Sequence, residues 1–64
     1  MQQSLMKVLA SMKMEMPNKV LIAMKLKQDE QIYLFVKWLK EEVPDSQVES
    51  RQDEIVNKAI EISK

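Results

Sequence analysis

The 64-residue sequence contains no cysteine and no histidine. Without cysteine it can form neither a disulfide nor a thiolate metal site. Without histidine it lacks the commonest metal ligand and the side chain that most often acts as a general base. We therefore expect a non-enzymatic protein with no cofactor and no metal site.

Glycine is absent as well, which disfavours folds with several tight β-hairpins because their turns need positive φ angles. The two prolines, Pro17 and Pro44, are the remaining breaks, since the residue before a proline is steered away from helical geometry. We interpret residues 1–64 as a single small domain, with an N-terminal amphipathic helix in residues 1–17 and the rest of the fold in residues 18–64.

Short length limits the core, because a chain of this size buries only about 60% of the surface that it exposes when unfolded. We predict a homodimer or a larger oligomer, in which each protomer buries an apolar face on its twin. No apolar run approaches the roughly 18 to 20 residues that span a bilayer, and the first residues lack the order of a signal peptide. We expect a cytoplasmic protein with no membrane partner.

Charge is balanced overall but not along the chain. Residues 1–27 carry five lysines and one acid, Glu15, whereas residues 28–64 carry five basic residues and nine acids. A basic front half can indicate a surface that faces a polyanion. The alternative is that these charges only solvate exposed faces.

The first section, "SLMKVLASMKMEM", has the apolar spacing of an amphipathic helix over residues 3–16, with Ser4 as its N-cap. Its stripe consists of Leu5, Val8, Leu9, Met12 and Met16. Methionine suits adaptable binding surfaces, but methionine at helical spacing more often packs in a core or a dimer interface, and we favour packing.

Two further helices are predicted. Residues 29–42 form the first, with Asp29 as N-cap, and its stripe consists of Ile32, Phe35, Val36, Leu39 and Val43. The second follows Ser50 or Ser46 as N-cap, and its apolar residues are Ile55, Val56, Ala59, Ile60 and Ile62.

Residues 20–26, which lie between the helix predicted over residues 3–16 and the helix predicted over residues 29–42, form no helical stripe. Read with a period of two, Val20, Ile22, Met24 and Leu26 share one face. This pattern predicts a short β-strand. Because the chain offers no second strand, the partner must be the same strand of another protomer, paired antiparallel about a two-fold axis.

The predicted fold is therefore mainly α with one short β-strand: an N-terminal helix, then strand, helix and helix, with the strand paired across a homodimer. The alternative is an all-α helical oligomer. The residues expected at the dimer or partner interface are Leu5, Leu9, Met12, Val20, Ile22, Met24 and Leu26.

Two segments carry a family resemblance. "KVLIAMKL" (residues 19–26) and "SRQDEIVNKAI" (residues 50–60) resemble the strand and the second helix of ribbon-helix-helix DNA-binding proteins, in which a two-stranded ribbon enters the major groove. The resemblance implies a small dimeric transcriptional regulator. The DNA contacts that it implies are Lys19, Leu21, Ala23, Lys25 and Lys27 near the ribbon, and a phosphate held near Ser50 and Arg51.

A second function remains open. In this alternative the protein is a protein–protein interaction module, or a homo-oligomer, without nucleic-acid binding. A protein partner would then bind through the N-terminal helix.

Overall fold

The computed structural model describes residues 5–64. Within them lie four α-helices and a short 3₁₀ helix: α1 (Leu5–Ser11), α2 (Met16–Lys25), α3 (Asp29–Glu42), the 3₁₀ turn (Asp45–Gln47) and α4 (Gln52–Ser63). The first and last helices each pack on both α2 and α3, so that the four helices surround one core. No residue from 5 to 64 lies in a β-strand. The predicted shared strand is therefore wrong, and the fold of the described chain is all-α.

The core is entirely apolar in the part of the chain that the structure describes. Every helix contributes to it, as do the residues at the ends of α2 and α3. Its buried members are Leu5, Leu9, Met12, Ile22, Leu26, Phe35, Val36, Leu39, Val43, Val48, Ile55, Val56 and Ala59. A single cluster of this kind is consistent with one domain.

The first helix is shorter than predicted. It ends at Ser11, whose hydroxyl donates to the carbonyl of Val8 at 2.8 Å, and the predicted N-cap Ser4 lies outside the described residues. Pro17 lies in the first turn of α2, where a proline is tolerated because that turn has no hydrogen-bond partner for its N–H groups. The proline therefore begins a new helix, and Met16 belongs to α2 instead of α1.

Helix ends are made without glycine. Leu26 and Val43 follow α2 and α3 in extended conformation, and their N–H groups donate to Ile22 and Leu39, each at 3.0 Å. Both capping side chains are buried. No residue from 5 to 64 has a positive φ angle. Each of these two helices instead ends at an extended apolar residue whose side chain packs in the core.

The helix predicted over residues 29–42 is confirmed as α3. Its N-cap is Gln28 rather than Asp29, and the Gln31 side-chain oxygen accepts the Gln28 N–H at 3.3 Å. The last helix is also confirmed, although it begins at Gln52 with Arg51 as N-cap. Ser50 is not the cap, because its hydroxyl donates backward to the carbonyl of Gln47 at 3.1 Å.

Residues 20–26 are helical up to Lys25. A helix satisfies its backbone groups within one segment, whereas a lone strand would leave them open. The segment contains four residues of types that strongly favour helices: Leu21, Ala23, Met24 and Lys25. These local preferences outweigh the period-two pattern.

Candidate functional site

The outer face of α2 is apolar and uncovered. Met16, Val20 and Met24 are 67%, 50% and 62% exposed, and their spacing of four residues places them on one side of the helix. The opposite side carries Ile22, which is buried in the core. The outer face of α2 is therefore apolar, and the rest of the described chain does not cover it.

Helix α1 supplies the other wall. Met6 is 66% exposed, Ala10 is also exposed, and the buried Leu9 lies between them in the sequence. Together the two helices enclose an open groove of about 340 Å³. We call it the α1–α2 groove, and its lining residues are Met6, Leu9, Ala10, Met16, Lys19, Val20, Ala23 and Met24.

The chemistry of this lining is simple. Lys19 is its single charged residue, and the other side chains are aliphatic or thioether. Methionine side chains are flexible and polarizable, and they adapt to partners of irregular shape. The groove can therefore bind an apolar surface, but it presents no group for acid–base or nucleophilic chemistry other than the lysine amine.

Gln52 at the start of α4 fixes the position of α2. Its side-chain oxygen accepts the Asn18 side-chain N–H at 2.7 Å and the backbone N–H of Glu15 at 2.9 Å. Its nitrogen donates to the carbonyl of Glu49 at 3.0 Å. The first turn of α2, which includes Met16 in the groove wall, is thus held against the start of α4 by these hydrogen bonds.

Basic residues lie at and near the groove. Lys19 lines it, and the exposed Lys7 lies on α1, three residues before the lining residue Ala10. Lys13 and the single acid of this half, Glu15, both lie in the connection between the two helices. The ion pairs among residues 5–64 are Arg51–Glu54 and Lys58–Glu61, and neither involves these lysines.

The residues predicted to face DNA do not share a surface. Leu21 packs against the core, Ala23 and Lys19 line the groove, and Lys25 and Lys27 are exposed. In a strand Leu21, Ala23 and Lys25 would point the same way. In α2, Leu21 and Lys25 share one side of the helix because they are four residues apart, and Ala23 lies on another side.

The predicted phosphate position near Ser50 and Arg51 is occupied by the protein's own side chains. The Arg51 guanidinium donates to both carboxylate oxygens of Glu54, at 2.9 and 2.7 Å, and to the carbonyl of Glu42 at 3.0 Å. Its hydrogen bonds lower the pKa of the Glu54 carboxyl, and Glu54 raises the pKa of Arg51 in turn. With Asp53 also in the first turn of α4, a phosphate there would meet two carboxylates.

The predicted interface residues divide into two groups. Leu5, Leu9, Met12, Ile22 and Leu26 are buried in the core of the protomer itself. Val20 and Met24 line the groove and are exposed. The shared face assigned to these residues under the strand prediction is therefore wrong for residues 20–26, because Val20 and Met24 lie opposite Ile22 and Leu26.

Of the methionines, Met12 is buried and Met14 packs against the core, whereas Met6, Met16 and Met24 are exposed at the groove. Met6 and Met16 are thus not packed in the core of the protomer itself, while their packing in a dimer interface stays a prediction. The four-residue spacing of Met16, Val20 and Met24 was the sequence signal that could have revealed the groove.

A smaller apolar patch lies on α3, where Tyr33 and Leu34 are 64% and 46% exposed. Trp38, close by, packs against the core and carries the Lys58 amine over its ring at 5.6 Å.

Comparisons with protein-family models, with curated proteins and with solved structures find no match to this chain. No helix among residues 5–64 is long and apolar enough to cross a membrane. The same residues contain no cluster of acids that could hold a metal ion.

Proposed function

We propose that this protein is a non-enzymatic interaction module that binds a helical segment of a protein in the α1–α2 groove. The observation that carries the proposal is the exposed apolar face of Met16, Val20 and Met24, which forms a wall of an open groove. Contiguous exposed apolar surface with a polar border is typical of protein-binding sites.

The lining favours a helix over an extended peptide. Apart from Lys19, no side chain in the groove can hydrogen-bond to a ligand's backbone. An extended segment would bury N–H and C=O groups without partners, at a cost in free energy. A helix satisfies those groups internally and presents apolar side chains at positions i, i+3, i+4 and i+7, the usual mode of helix-in-groove recognition.

DNA recognition through a shared ribbon is not carried forward, because it requires a strand where the chain forms α2. Homodimerisation stays a prediction. A second copy occupying the groove is one of the outcomes that the following experiment distinguishes.

The test uses fluorescently labelled, uncharged helical peptides with leucines at i, i+3, i+4 and i+7 spacing, in a small panel of differing leucine registers. Binding is followed by anisotropy, and sedimentation equilibrium is run on the protein alone. We expect at least one peptide to bind, and Val20→Gln to weaken it about tenfold, the order expected for losing a buried valine.

Leu34→Gln is the matched control, since Leu34 is an aliphatic residue of similar exposure on α3. It should leave binding unchanged. Failure of every peptide to bind, or equal losses in both variants, would contradict the proposed groove. Self-association abolished by Val20→Gln alone would assign the groove to a second copy instead.

A further inference from the structure

We infer that the helix bound in the α1–α2 groove comes from a different protein and carries acidic residues beside its apolar stripe. This inference rests on the proposed function and specifies the chemistry of the partner. Its basis is charge complementarity, which directs encounter and excludes wrong partners in protein interfaces.

The segment that builds the groove is basic, although the chain as a whole has no net charge. Residues 1–27 contain five lysines against one acid, while residues 28–64 contain five basic residues against nine acids. Lys19 is part of the groove lining, and the exposed Lys7 lies on α1 next to the lining residue Met6 in the sequence. A helix seated in the groove would meet the amine of Lys19.

These lysines are available to a partner. The two ion pairs found within residues 5–64 join residues of α4 and its N-cap. Lys7 is exposed and Lys19 is half-buried at the groove. Carboxylates on the partner helix would therefore gain attraction without breaking an existing pair.

The same charges disfavour a second copy of this chain. A two-fold pairing through the groove places the same patch of both protomers together, so the Lys19 amines of the two copies would lie in one interface. The acidic half of another copy could reach the groove in a head-to-tail contact, but such a contact closes into a ring only at particular angles and otherwise continues into a filament. A separate acidic helix fits without either difficulty.

Anionic lipid and duplex DNA also attract lysine, but neither matches the shape of the site. A bilayer or a duplex is too wide to enter a groove between two helices, and the apolar lining lies in such a groove. These polyanions are therefore outcomes of the test and not the proposed ligands.

The experiment compares two peptides with an identical leucine stripe, taken from the register that binds best. One carries glutamates at the flanking positions, and the other carries glutamines. We expect the acidic peptide to bind several-fold more tightly at low salt, and the difference to shrink as the salt rises to about 0.5 M, since exposed charges are then screened.

Lys19→Gln should lower the preference for the acidic peptide by about 2- to 5-fold, in the range of exposed ion pairs. The readout is the ratio of the two affinities, so that a loss common to both peptides cancels. The control is Lys37→Gln, which removes the same charge from the exposed face of α3 and should not alter the preference.

The outcomes separate the two proposals. Equal affinity for both peptides, or a preference lost equally in Lys37→Gln, overturns the acidic-partner inference and leaves the groove as a helix-binding site. Binding of neither peptide overturns the proposed function itself. A competition experiment adds phosphatidylglycerol vesicles or a random duplex to the bound acidic peptide. If either displaces it at a lower concentration than the unlabelled peptide does, the basic residues at the groove bind that polyanion, and the inference is overturned.

Discussion

Val20 and Ile22 lie on opposite faces of α2, although only one residue separates them. Ile22 is 0% exposed in the core, and Val20 is 50% exposed in the groove wall. In a strand the two side chains would share a face, whereas in a helix they are about 200° apart. This relationship both replaces the predicted ribbon and creates the apolar surface on which the proposed function depends.

The two residues should therefore differ in their contribution to stability. Ile22→Ala should lower the free energy of unfolding by about 2 to 5 kcal/mol, because it leaves a cavity in a closed core. Val20→Ala should change it by no more than about 0.5 kcal/mol, as expected of an exposed position. Urea denaturation followed by Trp38 fluorescence measures both.

Comparable losses in the two variants would mean that Val20 is as buried as Ile22. A shared strand with both residues packed between protomers would produce that result. Helical or extended backbone at these positions can be checked independently from the secondary chemical shifts of residues 20–26.

The sequence predicted those helices that bury a single face. In α3 the stripe of Phe35, Val36 and Leu39 alternates with charged residues, and its bounds follow correctly from that contrast. Helix α2 has no such contrast, because Val20 and Met24 on its outer face are as apolar as Ile22 on its inner face. Periodicity detects a difference between faces, and it fails where both faces are apolar.

The sequence analysis missed the groove for a related reason. Its two walls come from α1 and α2, and the boundary between these helices depends on the position assigned to Pro17. With Pro17 as a helix end, Met16 belonged to the stripe of α1; with Pro17 in the first turn of α2, Met16 aligns with Val20. The charge asymmetry is visible in the sequence, but the position of Lys19 in the lining of an apolar groove is not.

Gln52 should matter more than a partly exposed glutamine usually does. Gln52→Ala removes the acceptor of the Asn18 and Glu15 N–H groups, and at about 0.5 to 1.5 kcal/mol for each hydrogen bond we expect a loss of roughly 1 to 2 kcal/mol. Asn57→Ala, an exposed change in the same helix, is the control. If thermal denaturation shows the same small effect for both, α2 is not held by Gln52.

Acid should weaken the contact between Arg51 and Glu54. The folded state lowers the pKa of the Glu54 carboxyl through its hydrogen bonds to Arg51, so its stabilisation is present above the unfolded-state pKa and is lost as pH falls through the lower folded value. Glu54→Gln should accordingly flatten the pH dependence of stability below about pH 4.5. Identical acid titrations of the two proteins, followed by circular dichroism, would count against this pairing.

The exposed methionines of the groove should oxidise before the buried one. Under dilute hydrogen peroxide, we expect Met6, Met16 and Met24 to form sulfoxides well before Met12, which is 9% exposed. Peptide mapping by mass spectrometry gives the order. Equal rates at Met12 and Met24 would contradict the burial described for these residues.

Saturation with the bound peptide should also slow this oxidation at Met6, Met16 and Met24. The rate at Met14, which packs against the core from the α1–α2 connection, serves as the internal reference. Protection of Met14 alone would place the peptide elsewhere.

The central claim is tested most directly by the methyl resonances of the methionines. In a protein labelled with ¹³C at the methionine methyl groups, titration with the acidic helical peptide should shift the signals of Met6, Met16 and Met24 along a common binding curve, while the signal of the buried Met12 changes little. Shifts of all three, with one dissociation constant, are the result that a helix in the α1–α2 groove predicts. Unchanged signals from these three methyl groups, at peptide concentrations where anisotropy reports saturation, would place the binding elsewhere and contradict the account.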